Sequence, residues 1–279
     1  METIYLNQDN LMLWQKKADL SVMALGFFDG VHKGHLKVIG TACQIAREKN
    51  QLLTVMSFFP HPKSVLSNGR KTIDYLMPLS SKEKLLSDLG VDRFYIVQFT
   101  KEFAALSPEM FTAQYLLGLG VTHAVAGFDY TYGSKGIGNM DRLHQDSGGL
   151  LEVTKVSKVE CRGEKISSTS LREKLAQGRV CEVSKLLGRP YEVECEWNGA
   201  SLKVKPYYTL PRPGRYAVTL KENWSNEEIE IIVNDQKQLI PQGSSTTFLS
   251  GYHGPLTIKW HQHIYDETAI DEKQLIHIL

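Results

Sequence analysis

A chain of 279 residues has room for two domains at roughly 150 residues each, and 42% hydrophobic with 23% charged residues is the composition of a soluble globular protein. A formal net charge of +1 argues against a general nucleic-acid or membrane-surface binder, because such proteins depend on concentrated positive charge. The cysteines, Cys43, Cys161, Cys181 and Cys195, have no C-x-x-C spacing, which favours free thiols over disulfides or zinc ligands. The chain does not open with a charged n-region and apolar core, and no apolar run approaches the ~18 residues that span a bilayer. No membrane partner is therefore expected, and the cytoplasm is the expected compartment.

Up to Gly188, strand-like and helix-like segments alternate. Residues 21–26 (SVMALG), 52–58 (LLTVMSF), 92–98 (DRFYIVQ) and 121–126 (VTHAVA) are short apolar or β-branched runs. After the first of them, Leu36, Ile39, Cys43 and Ala46 recur at three- and four-residue steps, the buried face of a helix. A second helix is expected to open at Ser80, with Glu83 three residues on completing a capping box. A third has Ser107 as its N-cap and Pro108 at the first helical position, where no N–H is needed. Strands separated by helices need crossover connections, hence a mostly parallel, doubly wound sheet. Such sheets bind ligands beyond the carboxyl ends of their strands.

From Tyr191 the pattern changes. Tyr216, Val218 and Leu220 alternate with more polar positions, as do Leu256, Ile258 and Trp260, and residues 228–233 (EIEIIV) form another strand candidate. Turn signals separate them at 210–215 (LPRPGR), Asn234-Asp235, 241–243 (PQG) and 253–255 (HGP). A short helix is expected over 271–279. The fold class is thus α/β: a Rossmann-like doubly wound parallel sheet over residues 1–188, followed by a smaller antiparallel β-barrel domain over residues 189–279.

The stretch Ala24 to Gly40, ALGFFDGVHKGHLKVIG, carries the strongest chemical signal. His32 and His35 flank Gly34 where the first helix begins. Glycines let backbone approach a ligand, and the free N–H groups of a first helical turn favour phosphate. Two imidazoles there can donate to phosphate oxygens and stabilise the charge of a leaving pyrophosphate. A plain strand-to-helix turn with two surface histidines would contain the same residues, and a zinc site lacks a third ligand at standard spacing. The strand before, the helix after and the glycines between favour phosphate.

Three further motifs follow in order. Residues 57–62 (SFFPHP) end the second strand, and could be a proline loop or the wall of a pocket for a flat ring. Residues 127–133 (GFDYTYG) follow the fourth strand, either an edge turn with tyrosines or aromatic contacts to a ligand, with residues 134–139 (SKGIGN) as a loop over it. Residues 166–173 (ISSTSLRE) form a hydroxyl-rich helix start. Ser167, Ser168 and Thr169 there can cap the helix or donate to phosphate, with Arg172 one turn in.

These four motifs resemble those of the prokaryotic FAD synthetases, or FMN adenylyltransferases, of the H-x-G-H nucleotidyltransferase superfamily. GFFDGVHKGH is similar to their G-x-F-D-G-V-H-x-G-H, SFFPHP to F-x-P-H-P, and GFDYTYG to G-x-[DN]-[FY]-x-[FY]-G. ISSTSLRE is similar to I-S-S-T-x-[IV]-R, with Leu171 in place of Ile or Val. Residues 186–193 (LLGRPYEV) resemble the stretch where such proteins enter their second domain. The resemblance implies a nucleotidyltransferase-type sheet that transfers AMP from ATP to FMN, giving FAD and pyrophosphate. It implies ATP contacts from Gly26, Phe28, Asp29, Gly30, His32, Gly34, His35, Ser167, Ser168, Thr169 and Arg172, with His32, His35, Ser168 and Arg172 as the catalytic set. It implies FMN contacts from Phe59, His61, Pro62, Asp129, Tyr130 and Tyr132. Mg²⁺ is expected to come with ATP rather than on a protein metal site, and Asp29 to support either the loop or a metal-bound water. No nucleic-acid partner is expected, and the sequence does not specify an oligomeric state.

The chain also departs from the family. Phe27 and Phe128 stand at motif positions that are often polar in relatives. In bifunctional members a riboflavin kinase domain follows, with a Gly-rich run ending in G-F-P-T-A-N. Here Gly199 is the one glycine between Tyr191 and the 210–215 turn, and P-T-A-N is missing. Residues 210–218 (LPRPGRYAV) and 251–260 (GYHGPLTIKW) still resemble the kinase scaffold, while residues 246–250 (TTFLS) bring no carboxylate to the place of its catalytic base. The second domain is expected to be riboflavin-kinase-like and inactive as a kinase. The alternatives are a full bifunctional riboflavin kinase/FMN adenylyltransferase and a non-catalytic flavin or nucleotide sensor.

Overall fold

The computed structural model describes residues 1–71, 73–199, 201–222, 225–242 and 254–264. The helix expected over 271–279, the 246–250 segment and the turn residues Gly243 and His253 lie outside the described residues. The chain forms two compact units, Met1–Ser168 and Thr169–Leu279.

In the first unit six strands pair in parallel: β1 (Glu2–Leu6), β2 (Ser21–Leu25), β3 (Leu52–Phe59), β4 (Arg93–Gln98), β5 (Val121–Gly127) and β6 (Glu152–Val156). Their spatial order is β1-β4-β3-β2-β5-β6. The central strand β2 is buried at every position, as a strand covered on both faces must be, which explains its unbroken apolar run. β1 and β6 escape the apolar-run criterion because they are edge strands: only Ile4 and Leu6 of β1 and Val156 of β6 are buried. The order reverses at β2, with β3 on one side and β5 on the other, so the carboxyl ends of β2 and β5 bound a topological switch point.

Helix α1 (Gln8–Lys16) opens with a reciprocal capping box between Asn7 and Asn10, a variant without the Ser/Thr and Glu/Gln pair. Helix α2 (Lys33–Lys49) buries Val38, Ile39, Ala42 and Ala46, and packs on β2, β3 and β5. Leu36 and Cys43 border that face, half-buried. Helix α3 (Leu79–Asp88) corrects the expected capping box: Pro78 occupies the N-cap without a side-chain bond, and Ser80 already lies inside the helix. Ser107 does cap its helix, its Oγ accepting from the Met110 N–H at 3.1 Å, with Pro108 at the first position.

The second unit holds α4 (Ser168–Ala176) from Thr169 onward, α5 (Val180–Leu187) and a closed antiparallel barrel. The barrel strands are β7 (Tyr191–Trp197), β8 (Leu202–Val204), β9 (Gly214–Lys221), β10 (Asn226–Val233), β11 (Leu239–Gln242) and β12 (Gly254–Ile264), in the order β7-β8-β11-β10-β9-β12. β12 closes the cylinder on β7, from Tyr191 opposite Trp260 to Trp197 opposite Gly254. Alternation puts Tyr191, Val193, Cys195 and Trp197 inside, with Tyr216, Val218, Leu220, Ile229, Ile231, Leu256, Ile258 and Trp260. Closure removes the exposed edges that an open sheet would leave. Cys195 is an inert thiol, its pKa pushed up to about 12 by burial. Helix α5 packs on β7 and β12 through an apolar face that includes Val183, Leu186 and Leu187. The two helices between Thr169 and Leu187 thus group with the barrel, whereas the sequence reading draws its boundary after them. Among the described residues no helix is long and apolar enough to cross a membrane.

Candidate active site

Beyond the carboxyl end of β2, the chain from Gly26 to His32 makes a tight turn into the N-terminus of α2. Phe28 and Val31 take left-handed backbone at φ 51° and 40°, as does Gly30 at 78°. Such conformations cost non-glycine residues on the order of 1–3 kcal/mol each, so surrounding structure must hold them. Phe28 and Val31 are packed in the core, and the fully buried Asp29 carboxylate accepts the Leu76 N–H at 3.0 and 3.1 Å. A methyl group at Gly30 would come within 2.7 Å of the Leu76 side chain.

The two imidazoles are built as a unit. His32 is the N-cap of α2, its Nδ1 accepting the His35 N–H at 3.3 Å. The rings stack with centroids 3.6 Å apart and planes 16° from parallel, and the Phe28 ring meets His35 edge-on at 5.2 Å. Gly34 permits this, since a Cβ there would lie 3.1 Å from the His32 ring. Burial, and then repulsion from His32 and Lys82, holds the His35 pKa well below the usual histidine value. His35 Nδ1 is buried and, among the described residues, has no hydrogen-bond partner.

A cleft of about 380 Å³ opens here, at the switch point. Its walls come from the ends of β2, β3, β5 and β6 and from residues 165–168. Of the residues expected at the site, Gly26, Phe28, His32, Gly34, His35, His61, Pro62, Asp129, Tyr130, Ser167 and Ser168 line it. Ser168 Oγ donates to the Asp29 carbonyl at 2.9 Å, tying the hydroxyl-rich segment to the histidine loop. Asp29 and Gly30 stand behind the wall as its support. Phe58 rather than Phe59 lines the cleft, as neighbours on a strand face opposite sides, and the Phe59 ring packs 6.0 Å from Tyr75. Tyr132 is a core residue: its O–H donates to Asp146 at 2.5 Å and its ring lies 5.3 Å from Phe111. Burial and the Asp146 carboxylate push its pKa up. Thr169 and Arg172 belong to the second unit, on α4.

The flavin-side motifs supply ring faces. His61 meets Phe27 edge-on at 4.3 Å, and its Nδ1 accepts the Lys63 N–H at 3.0 Å to cap a short helix. Tyr130 stacks beside Tyr132 at 6.2 Å, and its buried hydroxyl has no hydrogen-bond partner among the described residues. Lys165 pairs with Asp129 and sits 4.8 Å from the centre of the Phe128 ring. Phe27, Phe58, Phe128 and Lys165 all line the cleft, and Lys82 lies behind it. None of these five was expected as a site residue. Phe27 and Phe128 were marked only as departures, and a lysine in a helix or hairpin reads as a solvated charge until the fold buries or pairs it.

Fold and cleft together define an α/β protein whose parallel sheet opens a ligand-sized cleft at its switch point, with a closed β-barrel following it in the chain. The chain belongs to the FAD synthetase family, whose sequence profile matches residues 14–170. It is 43% identical over 236 residues to a bifunctional riboflavin kinase/FMN adenylyltransferase of Listeria monocytogenes, covering 80% of this chain and 74% of the relative. A second protein of that organism, an FAD synthetase, is 31% identical over 230 residues, covering 80% of this chain and 92% of the relative. A crystal structure from Streptococcus pneumoniae, described as a macrolide-efflux protein, is similar over 99% of this chain and 95% of its own, with a TM-score of 0.80 and 28% identity.

Proposed function

We infer that this chain transfers the adenylyl group of ATP to FMN, forming FAD and releasing pyrophosphate. The observation that carries the reading is the stacked His32–His35 pair at the N-terminus of α2, on the wall of the switch-point cleft. A helix N-terminus attracts phosphate through its unpaired N–H groups and dipole. Because His32 Nδ1 accepts the His35 N–H, its neutral ring carries the proton on Nε2 and donates from there. A phosphate oxygen of FMN attacks the α-phosphorus, the new P–O bond forming as the bond to the bridging oxygen breaks. The electron pair leaves with pyrophosphate. The attacking oxygen is already anionic, so no general base is needed, and rate comes from in-line positioning and from donors aimed at the developing charge.

In this reading Gly26, Phe28, Gly34, Ser167 and Ser168 join the histidines on the nucleotide side, with Asp29 and Gly30 shaping the loop; Thr169 and Arg172 are assigned to the nucleotide by their motif alone. His61, Pro62, Asp129 and Tyr130 serve the flavin, with Phe59 and Tyr132 acting from behind. Among the described residues no three His, Cys, Asp or Glu side chains cluster as a metal cage. Mg²⁺ is read as arriving on the phosphates of ATP, where it would neutralise charge. ATP and FMN are the small-molecule partners, and the cytoplasm is the compartment that suits both.

We assign residues 189–279 to a riboflavin-kinase-like domain that has lost its phosphate loop, following the adenylyltransferase domain of residues 1–188. The second reading, that riboflavin is also phosphorylated, is favoured by the bifunctional name of the 43%-identical relative. Incubation with Mg·ATP and either FMN or riboflavin, with products separated by chromatography, tests both. FAD from FMN alone is the expected result. FMN or FAD from riboflavin would establish the bifunctional enzyme, and no product from either flavin, with binding intact, would point to a sensor.

A further inference from the structure

Lys82 lies one turn into α3, where a lysine reads as solvated, yet it is only 2% exposed. Removing an ammonium from water is costly unless partners replace its hydration, so those partners are informative. Nζ donates to the Phe27 carbonyl at 2.9 Å and to Ser57 Oγ at 3.4 Å, and lies 4.9 Å from the centre of the Phe27 ring. Ser57 Oγ donates to the same carbonyl at 2.8 Å. The fully buried Asp29 carboxylate attracts the ammonium. Phe27 immediately precedes the left-handed Phe28, and both line the cleft. One buried cation is thus bonded to the entry of the strained turn and balanced by an anion within it. An uncharged side chain would leave the Phe27 carbonyl one donor short and the Asp29 charge less compensated.

We propose that Lys82 is a positioning residue for adenylyl transfer, its ammonium gripping the Phe27 carbonyl at the entry of the turn so that the turn presents His32 and His35 to the phosphates. The catalytic part rests on the adenylyltransferase reading; the coupling to the imidazoles does not. The titratable groups acting on one another here are Lys82, Asp29, His32 and His35. Burial, His32 and Lys82 each lower the His35 pKa, while burial lowers that of Lys82 to about 8 against the pull of Asp29.

The test is Lys82→Met, close in length and uncharged, beside Lys82→Arg and the wild-type protein. In Lys82→Met, kcat for FAD formation should fall about tenfold or more with KM for FMN little changed, as expected when reacting groups are misplaced rather than binding lost. Its His35 ring titration, followed by NMR, should move to higher pH. Lys82→Arg, which keeps charge and donors, should recover most of the rate. In the wild-type protein, where folding is not at issue, the His35 ring signals should show an added inflection near pH 8 as Lys82 deprotonates. A folded Lys82→Met protein with unchanged kcat and an unshifted His35 titration overturns the proposal, as do wild-type His35 signals without that inflection. A wild-type protein that makes no FAD overturns the adenylyltransferase reading instead, and leaves the histidine titrations to decide the coupling.

Discussion

The histidine loop and the barrel use buried positions in opposite ways. Between Gly26 and His35 the chain takes left-handed backbone at two bulky residues and buries a carboxylate and an imidazole. The ammonium of Lys82, from another element, is buried against it. The barrel strands alternate inward and outward instead, with one irregularity at Ala217/Val218: among the described residues, none of the buried serine, threonine, histidine or charged residues belongs to them. A region whose interior is apolar and regular is optimised for packing. One that holds strain and buried charge must be paid for by the structure around it, and such features cluster where chemistry is done.

The comparison breaks most visibly in the barrel core. Trp260 is fully buried, with Tyr216 edge-on at 5.2 Å. Trp260→Ala should cost about 3–5 kcal/mol of barrel stability in denaturant unfolding. FAD formation per folded molecule should stay near the wild-type rate, and a collapse of activity in folded protein would mean that the barrel takes part in the chemistry. In the loop the order reverses. His32→Ala with His35→Ala should slow FAD formation by about 10²-fold or more, by analogy with the loss of oxyanion donors. An unchanged rate in that double variant would remove the mechanism.

The smallest effect is a dependence of stability on pH. The folded-state pKa of His35 lies well below the usual histidine value of about 6.5, so below that pH the unfolded chain binds a proton that the folded chain refuses. Stability should therefore fall as pH drops from 7 toward 5, with His35 contributing a slope of at most about 1.4 kcal/mol per pH unit. Chemical denaturation of wild type and His35→Gln across that range checks the sign, and equal slopes would show that His35 titrates normally.

Much of the fold was legible because its signals are local. The central strands β2 to β5 announce themselves as apolar runs, the Ser107-Pro108 pair as a helix start, and the inward barrel positions as a period of two. The edge strands β1 and β6 were not legible, because a strand paired on one side and half solvated carries no apolar run. The capping box placed at Ser80 failed because the N-cap falls two residues earlier, at Pro78. At the candidate site, motif order pointed to the cleft, but the role of each residue depended on which way it faces. Phe58 took the place at the cleft expected of Phe59, and Tyr132 turned into the core toward Asp146.

By itself, the sequence determined the period of each segment, the spacing of His32, Gly34 and His35, and the order of the four motifs, all of which are properties of neighbours along the chain. Tertiary structure alone decided that Leu76 would clamp Asp29, that Lys82 would be buried against Phe27, and that barrel closure would pair Tyr191 with Trp260. Those contacts join residues 47, 55 and 69 positions apart. They form because packing the helices and closing the barrel bury surface that no local segment can bury alone, and a side chain's charge state and direction follow from what that packing leaves around it.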